Sequence, residues 1–177
     1  MRRSTCAAAS LSALLSGSSF AQTAPTPAVT NADTQEFVTQ AARATMLDLS
    51  AAKEAEQKIE DPAYKGYARQ SIADDTRIED GLKSFAQRAG VTLPDGLDQE
   101  RAAVLKDLQS SDGAQLKQKF RSSQIGGTRQ AIQIFHDFGR NERDSKMKAW
   151  LETASATLGA RLDAATRLPL VPSAPQG

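Results

Sequence analysis

The residues of this chain that could do chemistry are few, and three aspartates are the most suggestive of them. Asp48, Asp74 and Asp75 carry carboxylate oxygens, which are the ligands that hard divalent cations prefer. An oxygen-only cation site made by these three side chains is therefore one hypothesis. The alternative is that Asp74 and Asp75 lie on or near a solvated face while Asp48 pairs with a basic residue such as Arg161, because buried charges usually survive by pairing.

Other kinds of catalytic site find no support in the sequence. The chain contains one histidine, His136, and no serine or cysteine nucleophile motif accompanies it, so we interpret it as a partly exposed helix residue. There is no Gly-x-Ser-x-Gly, no phosphate-binding loop and no Cys-x-x-Cys. The pair Gly126-Gly127 indicates close helix packing or a bend. We therefore expect no catalytic residue and no cofactor other than a divalent metal at the aspartates.

The first 21 residues are typical of a secretory signal peptide. Arg2 and Arg3 precede a short apolar run from Cys6 to Leu15, and Ala21 ends a stretch of small residues suited to cleavage. Nothing later approaches the ~20 apolar residues that a membrane helix needs. We expect a mature chain that has lost its one cysteine, has no transmembrane segment and resides in the periplasm or is secreted. Peripheral association with the outer membrane is left open.

The charges argue against one class of partner. The chain has 22 basic and 21 acidic residues, which gives a formal net charge of +1. This balance gives no electrostatic reason to expect nucleic acid. The expected partner is an unidentified envelope protein or ligand.

The elements that must position these residues are all predicted to be helices. Apolar residues recur at helical spacing over about 34–59, 62–89, 99–139 and 142–168, with a kink or interruption near 110–113 in the third stretch. Asp33 or Thr34, then Asp61 before Pro62, and then Asp98 are predicted to cap the first three helices. The fold class is all-α, as an up-and-down four-helix bundle over 33–168. It is flanked by a signal peptide at 1–21, a flexible leader at 22–32 and a disordered tail at 169–177.

The order of several short elements resembles one family of exported bacterial proteins. That family, domain of unknown function forty-one forty-two, consists of ferritin-like four-helix bundles whose members are often labelled outer membrane proteins. The resemblance covers about residues 37–168 and implies a fold and a compartment rather than a reaction. The matching elements are Phe37-Val38, Ala41, Pro62, Asp74 with Thr76, Leu93-Pro94, Leu97-Asp98, Gly113-Ala114 and Phe135.

The departures from the family pattern concern its polar residues. The pattern carries an acidic residue where Asp48 stands, and three histidines that align with Asp75, Thr128 and Arg161. A ferritin-like di-metal site also needs Glu-x-x-His on two helices, and the chain contains none. If relatives bind metal through these positions, this chain has lost the imidazoles.

Three functional hypotheses follow from these residues. The first is a non-enzymatic binding or structural protein of the cell envelope, because the bundle pattern lacks a catalytic constellation. The second is a metal-binding ferritin-like protein that uses Asp48, Asp74 and Asp75. The third is a carrier of an apolar ligand in the bundle core, which the small residues of the first helix suggest.

Overall fold

The computed structural model describes residues 29–171, and helices make up most of this range. The expected all-α class is confirmed, since no strand occurs between residues 29 and 171. The predicted signal peptide lies outside the described residues, as do most of the leader and residues 172–177 of the tail. The helices are α1 (Asn31–Lys58), α2 (Pro62–Ala89), α3 (Gln99–Gln109), α4 (Gly113–Gly139) and α5 (Ser145–Arg167).

Two predicted helix starts are confirmed in detail. The side chain of Asp61 accepts a hydrogen bond from the backbone N–H of Ala63 at 3.0 Å, at the start of α2. Asp98 accepts from the N–H of Arg101 at 2.9 Å and caps α3 in the same way. Both aspartates satisfy backbone donors that have no partner within the helix.

Two other helix starts differ from the prediction. Thr30 caps α1, instead of Asp33 or Thr34, because Thr30 and Asp33 form a reciprocal capping box. The helix therefore begins inside the segment predicted as a flexible leader. Asp144 caps α5 by accepting from Met147 N–H at 2.8 Å, so this helix begins three residues after the predicted start at 142.

The third predicted stretch is two helices, which meet at the predicted interruption. Gly113, the first residue of α4, has a φ of +50°, a conformation that favours glycine. The shorter helix, α3, lies along α1. Arg101 of α3 donates to Gln40 at 3.2 Å, and Lys58 at the end of α1 donates to the carbonyl of Gln109 at 2.6 Å. Helix α3, with 11 residues, therefore lies along part of the 28-residue α1.

Two apolar clusters fill the interior, and they lie at opposite ends of the long helices. We call them the upper cluster and the lower cluster. The upper cluster includes Phe37, Leu82, Phe85, Phe135, Phe138 and Leu151. The lower cluster includes Ala55, Ile59, Tyr64, Leu116, Phe120 and Leu168.

The membership of the clusters gives the direction of each helix. Helices α1 and α5 begin in the upper cluster and end in the lower one, whereas α2 and α4 run the opposite way. Helix α1 packs against α2 and α4, and α5 packs against the same two helices. Neighbouring long helices are thus antiparallel, but α2 and α4, which are consecutive long helices, run in the same direction because α3 carries the chain back between them. The strict up-and-down order expected from the sequence does not hold at this step. Within residues 29–171, no helix has the length and apolarity required to cross a membrane.

Candidate functional site

A buried charged layer separates the two apolar clusters. It consists of Asp48 from α1, Asp75 from α2, Thr128 from α4 and Arg161 from α5, and we call these four residues the charged layer. None of them is more than 3% exposed. Each long helix therefore contributes one polar side chain to the same level of the core.

The local sequence explains why these side chains point inward. Asp48 follows the buried Ala44 by four residues and precedes the buried Ala51 by three. Residues three and four apart share a face of an α-helix, so the apolar stripe of α1 carries Asp48 into the core with it. The other three members of the layer stand in the same relation to buried residues of their own helices.

The guanidinium of Arg161 joins three helices. Its Nη2 donates to Asp48 Oδ2 at 2.6 Å and lies 3.5 Å from Thr128 Oγ1. Its Nη1 donates to Asp75 Oδ1. Both carboxylates belong to ion pairs with side chains almost fully shielded from water, where screening is weak and unpaired charge is costly.

The layer holds two carboxylates and only one cation. Burial raises the pKa of Asp48 to about 6, although Arg161 acts in the opposite direction. Burial raises the pKa of Asp75 to about 7, again against Arg161, and the charges of Asp48 and Asp74 add to the rise. Burial by itself would lower the pKa of Arg161, but the two carboxylates outweigh it and raise that pKa. The layer thus favours uptake of one proton near neutral pH.

A second set of buried polar groups lies beside the layer. The hydroxyl of Tyr67 donates to Gln124 Oε1 at 3.1 Å, and burial raises the pKa of Tyr67 to about 12. Within residues 29–171, six buried side-chain atoms lack a hydrogen-bond partner, and they include Gln124 Nε2, Asp75 Oδ2 and Arg161 Nε. Gln124 was not among the residues singled out from the sequence. Its spacing, one helical turn before Thr128 on the same face, indicates an inward position but not the partner that it meets.

The glycine pair of α4 is partly explained by this layer. A Cβ on Gly127 would lie 3.0 Å from Asp48 Oδ1, whereas one on Gly126 would meet no atom within 4 Å. Helix α4 continues unbroken through both residues. Of the two sequence interpretations, close packing therefore applies at Gly127, where α4 approaches the carboxylate of α1.

The structure brings two of the three predicted aspartates together and sets the third apart. The carboxylates of Asp48 and Asp75 share Arg161, so the predicted pairing of Asp48 with Arg161 is confirmed. Asp74 and Asp75 are both buried. The interpretation that they lie on or near a solvated face is therefore wrong for Asp75, which points into the core four residues after the buried Ser71. Asp74 accepts hydrogen bonds at 2.9 Å from Gln70 and from the largely exposed Arg77 of its own helix.

Metal coordination by Asp48, Asp74 and Asp75 stays a prediction. Between residues 29 and 171, no group of three or more histidine, cysteine, aspartate and glutamate side chains is arranged so that it could hold a metal ion. The positive charge of Arg161 lies between the two buried carboxylates, where it competes with any cation for the same oxygens.

His136 lies on the exposed side of α4. Its Nδ1 is 3.4 Å from the carboxylate of Asp137, and about two thirds of its side chain, 63%, is exposed. This position agrees with its interpretation as a surface residue of a helix.

Comparison with known proteins yields one match. The model of a family described as a domain of unknown function (DUF4142) matches residues 18–168. The comparisons with curated proteins and with solved structures gave no match.

Proposed function

Because this chain belongs to the DUF4142 family, for which no activity is described, we propose a function from the charged layer itself. The protein is a non-enzymatic helical-bundle protein of the cell envelope. It is exported through the signal peptide at residues 1–21 and resides in the periplasm or outside the cell. There it binds a ligand or partner, or serves a structural role.

The state of Arg161 is the observation that carries this proposal. The guanidinium of Arg161 pairs with one oxygen of Asp48 and one oxygen of Asp75, so the two carboxylates are joined in a structural cross-link. A metal ion at these carboxylates would have to compete with the positive charge of Arg161, which lies between them. The layer is therefore suited to holding α1, α2 and α5 in register.

We also propose that the four long helices form a ferritin-like bundle. Two observations support this assignment. Helix α3 makes the single long crossover between two antiparallel helix pairs, and one such crossover characterises ferritin-like bundles. The charged layer also unites the four positions that the resemblance aligned with an acidic residue and three histidines of the family.

The alternative function, a carboxylate metal site, is tested by elemental analysis. The mature chain is purified from the periplasm without a histidine tag or chelator, and the metal content per chain is measured. We expect no stoichiometric divalent metal, because Arg161 occupies the carboxylates. Stoichiometric metal that disappears in the Asp75→Ala variant would establish the metal function and overturn the structural one.

The proposed compartment needs its own measurement. Cells that produce the full chain are fractionated beside cells that produce a chain without residues 1–21. We expect the full chain in the periplasmic or culture fraction and the shortened chain in the cytoplasm. Full-length protein that remains in the cytoplasm would contradict export.

A further inference from the structure

A cleft separates the lower halves of α2 and α5. It has a volume of about 710 Å³, and its walls include Ala63 and Gly66 from α2 and Ala160 and Ala164 from α5. These four small residues are all exposed, although they line facing helices of one bundle. We call this space the α2–α5 cleft.

The cleft is open because the two helices approach closely near the upper cluster but not at Gly66. Near the upper cluster the Trp150 indole lies directly against Gly81, where a Cβ would overlap the ring. The lower halves have no such contact at Gly66, where a Cβ would find no atom within 4 Å. The small residues of the lower halves therefore leave space instead of closing the interface.

The floor of the cleft is polar and buried. Tyr67 and Arg161 both line it, and Arg161 is only 3% exposed. Arg161 Nε is one of the buried side-chain atoms of residues 29–171 that have no hydrogen-bond partner. Buried polar atoms are usually paired, so this N–H is a donor available to a ligand in the cleft.

The size of the cleft favours a small molecule over a protein helix. Pockets for small ligands typically measure ~300–1,000 Å³, and the cleft lies in this range. An α-helix with side chains is ~10–12 Å across, so the same volume would hold only roughly one and a half turns of it. A helical partner would also leave the polar floor without hydrogen bonds.

The charges of the floor select the polar group of the ligand. The charged side chains that line the cleft are all paired: Arg161 with Asp48 and Asp75, Asp74 with Arg77, and Arg167 with Asp163. No lining charge is left to compensate a charged head group, so burying one there would be costly. A hydroxyl can accept a hydrogen bond from Arg161 Nε without adding a charge. A hydroxyl group on an apolar chain would hydrogen-bond to the polar floor of the cleft, while the chain would contact the alanine and glycine residues of its walls.

We propose that the α2–α5 cleft binds a small neutral amphiphile, with its apolar chain between Gly66 and Ala160 and a hydroxyl-type head group at Arg161. This inference rests on the proposed function as a non-enzymatic binding protein and names the class of ligand.

The proposal is tested with the neutral fluorescent amine N-phenyl-1-naphthylamine as probe for the apolar chain. The mature protein is titrated with the probe, and the Gly66→Leu variant is compared with it. We expect one probe per chain and at least a tenfold loss of affinity in Gly66→Leu, because the new side chain fills the cleft. Gly159→Leu is the matched control, since Gly159 also has space for a Cβ but does not line the cleft.

Competition then tests the head group. We expect 1-decanol to displace the probe and decanoate, which has the same chain length but is anionic, to do so at least tenfold less well. Absence of probe binding, unchanged affinity in Gly66→Leu, or equal loss in Gly159→Leu would overturn the site. Equal displacement by decanoate would overturn the assigned ligand class.

The outcomes separate this inference from the proposed function. Gly66→Leu leaves the charged layer intact, and probe binding does not depend on metal content. If the protein is free of metal but does not bind the probe, the ligand site in the cleft is contradicted and the proposed function is not. If the protein holds stoichiometric metal and also binds the probe, the proposed function is contradicted and the ligand site is not.

Discussion

The two ends of the interface between α2 and α5 differ, although both are built around a glycine of α2. In the upper half, Gly81 is covered by the Trp150 indole, and Trp150 packs in turn on Phe135 with ring centroids 5.6 Å apart. In the lower half, Gly66 faces open space and the alanines of α5 opposite it are exposed. The same residue type thus permits close approach in one place and leaves a cleft in the other.

The comparison shows that a small residue does not by itself say whether two helices touch. What matters is the size of the side chain opposite the glycine. Trp150 fills the space at Gly81, whereas Ala160 and Ala164 are too short to fill it at Gly66. The charged layer lies between an upper cluster with four phenylalanines and a lower cluster whose aromatic residues are Tyr64, Tyr67 and Phe120.

The largest effect is expected from breaking the charged layer. Arg161→Met leaves Asp48 and Asp75 buried without their cation, and loss of one partner of a buried ion pair typically costs about 3–5 kcal/mol. We expect the free energy of unfolding at pH 7.5, measured by urea denaturation, to fall by about that amount.

The matched control for Arg161→Met removes the charges together. In the triple variant Asp48→Asn, Asp75→Asn, Arg161→Met no unpaired charge remains, and we expect most of the lost stability to return. A triple variant as unstable as Arg161→Met would mean that packing at Arg161, rather than charge, is responsible.

A smaller effect is expected from adding one methyl group at the upper contact. In Gly81→Ala the new Cβ would lie 2.7 Å from Cζ2 of Trp150, and such overpacking typically costs about 1–3 kcal/mol. We expect a lower free energy of unfolding, measured by urea denaturation, and partial recovery when Trp150→Leu is added.

The same substitution in the cleft should act in the opposite direction. Gly66→Ala meets no atom and replaces glycine within a helix, which typically gains about 0.5–1 kcal/mol. If Gly81→Ala and Gly66→Ala changed the free energy of unfolding in the same direction, the two halves of the interface would not differ in packing as described.

The last prediction concerns pH and the layer's excess carboxylate. The pKa of Asp48 is raised to about 6 and that of Asp75 to about 7, so between pH 5 and 7 the folded state binds more protons than the unfolded one. Stability is then highest below the unfolded pKa values and is lost as pH rises through the folded ones. We expect the free energy of unfolding to fall by about 1 kcal/mol per pH unit in this window.

The pH series is read against Asp75→Asn, with both proteins in the His136→Gln background so that the chain's one histidine does not contribute. We expect a shallower slope in Asp75→Asn, because this variant removes the group with the higher pKa. A slope that does not change would assign the pH dependence to groups outside the layer.

Much of the fold was predictable because its signals are local. The helical period, the capping aspartates Asp61 and Asp98 and the interruption near Gly113 all depend on residues within a few positions of each other. The errors also have local causes. Thr30 and Asp33 together form the capping box of α1, and such a box was not considered. The direction of α4 was not predictable, because it depends on α3 crossing the molecule along α1.

The candidate site was predictable only in part. The inward positions of Asp48, Asp75 and Arg161 follow from their spacing to apolar residues, and the pairing of Asp48 with Arg161 was among the interpretations. The role of Gln124 was missed, since a glutamine on an otherwise apolar stripe is not informative until its neighbour is known. Asp74 and Asp75 are adjacent in sequence and both are buried. Their partners distinguish them, since Asp75 pairs with Arg161 and Asp74 pairs with residues of its own helix.

The sequence alone determined which residues face inward on each helix, because a period of 3.6 residues is set by the backbone of a single element. The tertiary structure decided which of these residues lie at the same level along the axis of the bundle. This alignment places Arg161 between two carboxylates, Gly127 against Asp48, and Trp150 over Gly81, while Gly66 stays uncovered. Such relations depend on how far one helix slides along another, and this is set by the packing of side chains that are more than 100 residues apart in some pairs, as in Asp48 and Arg161.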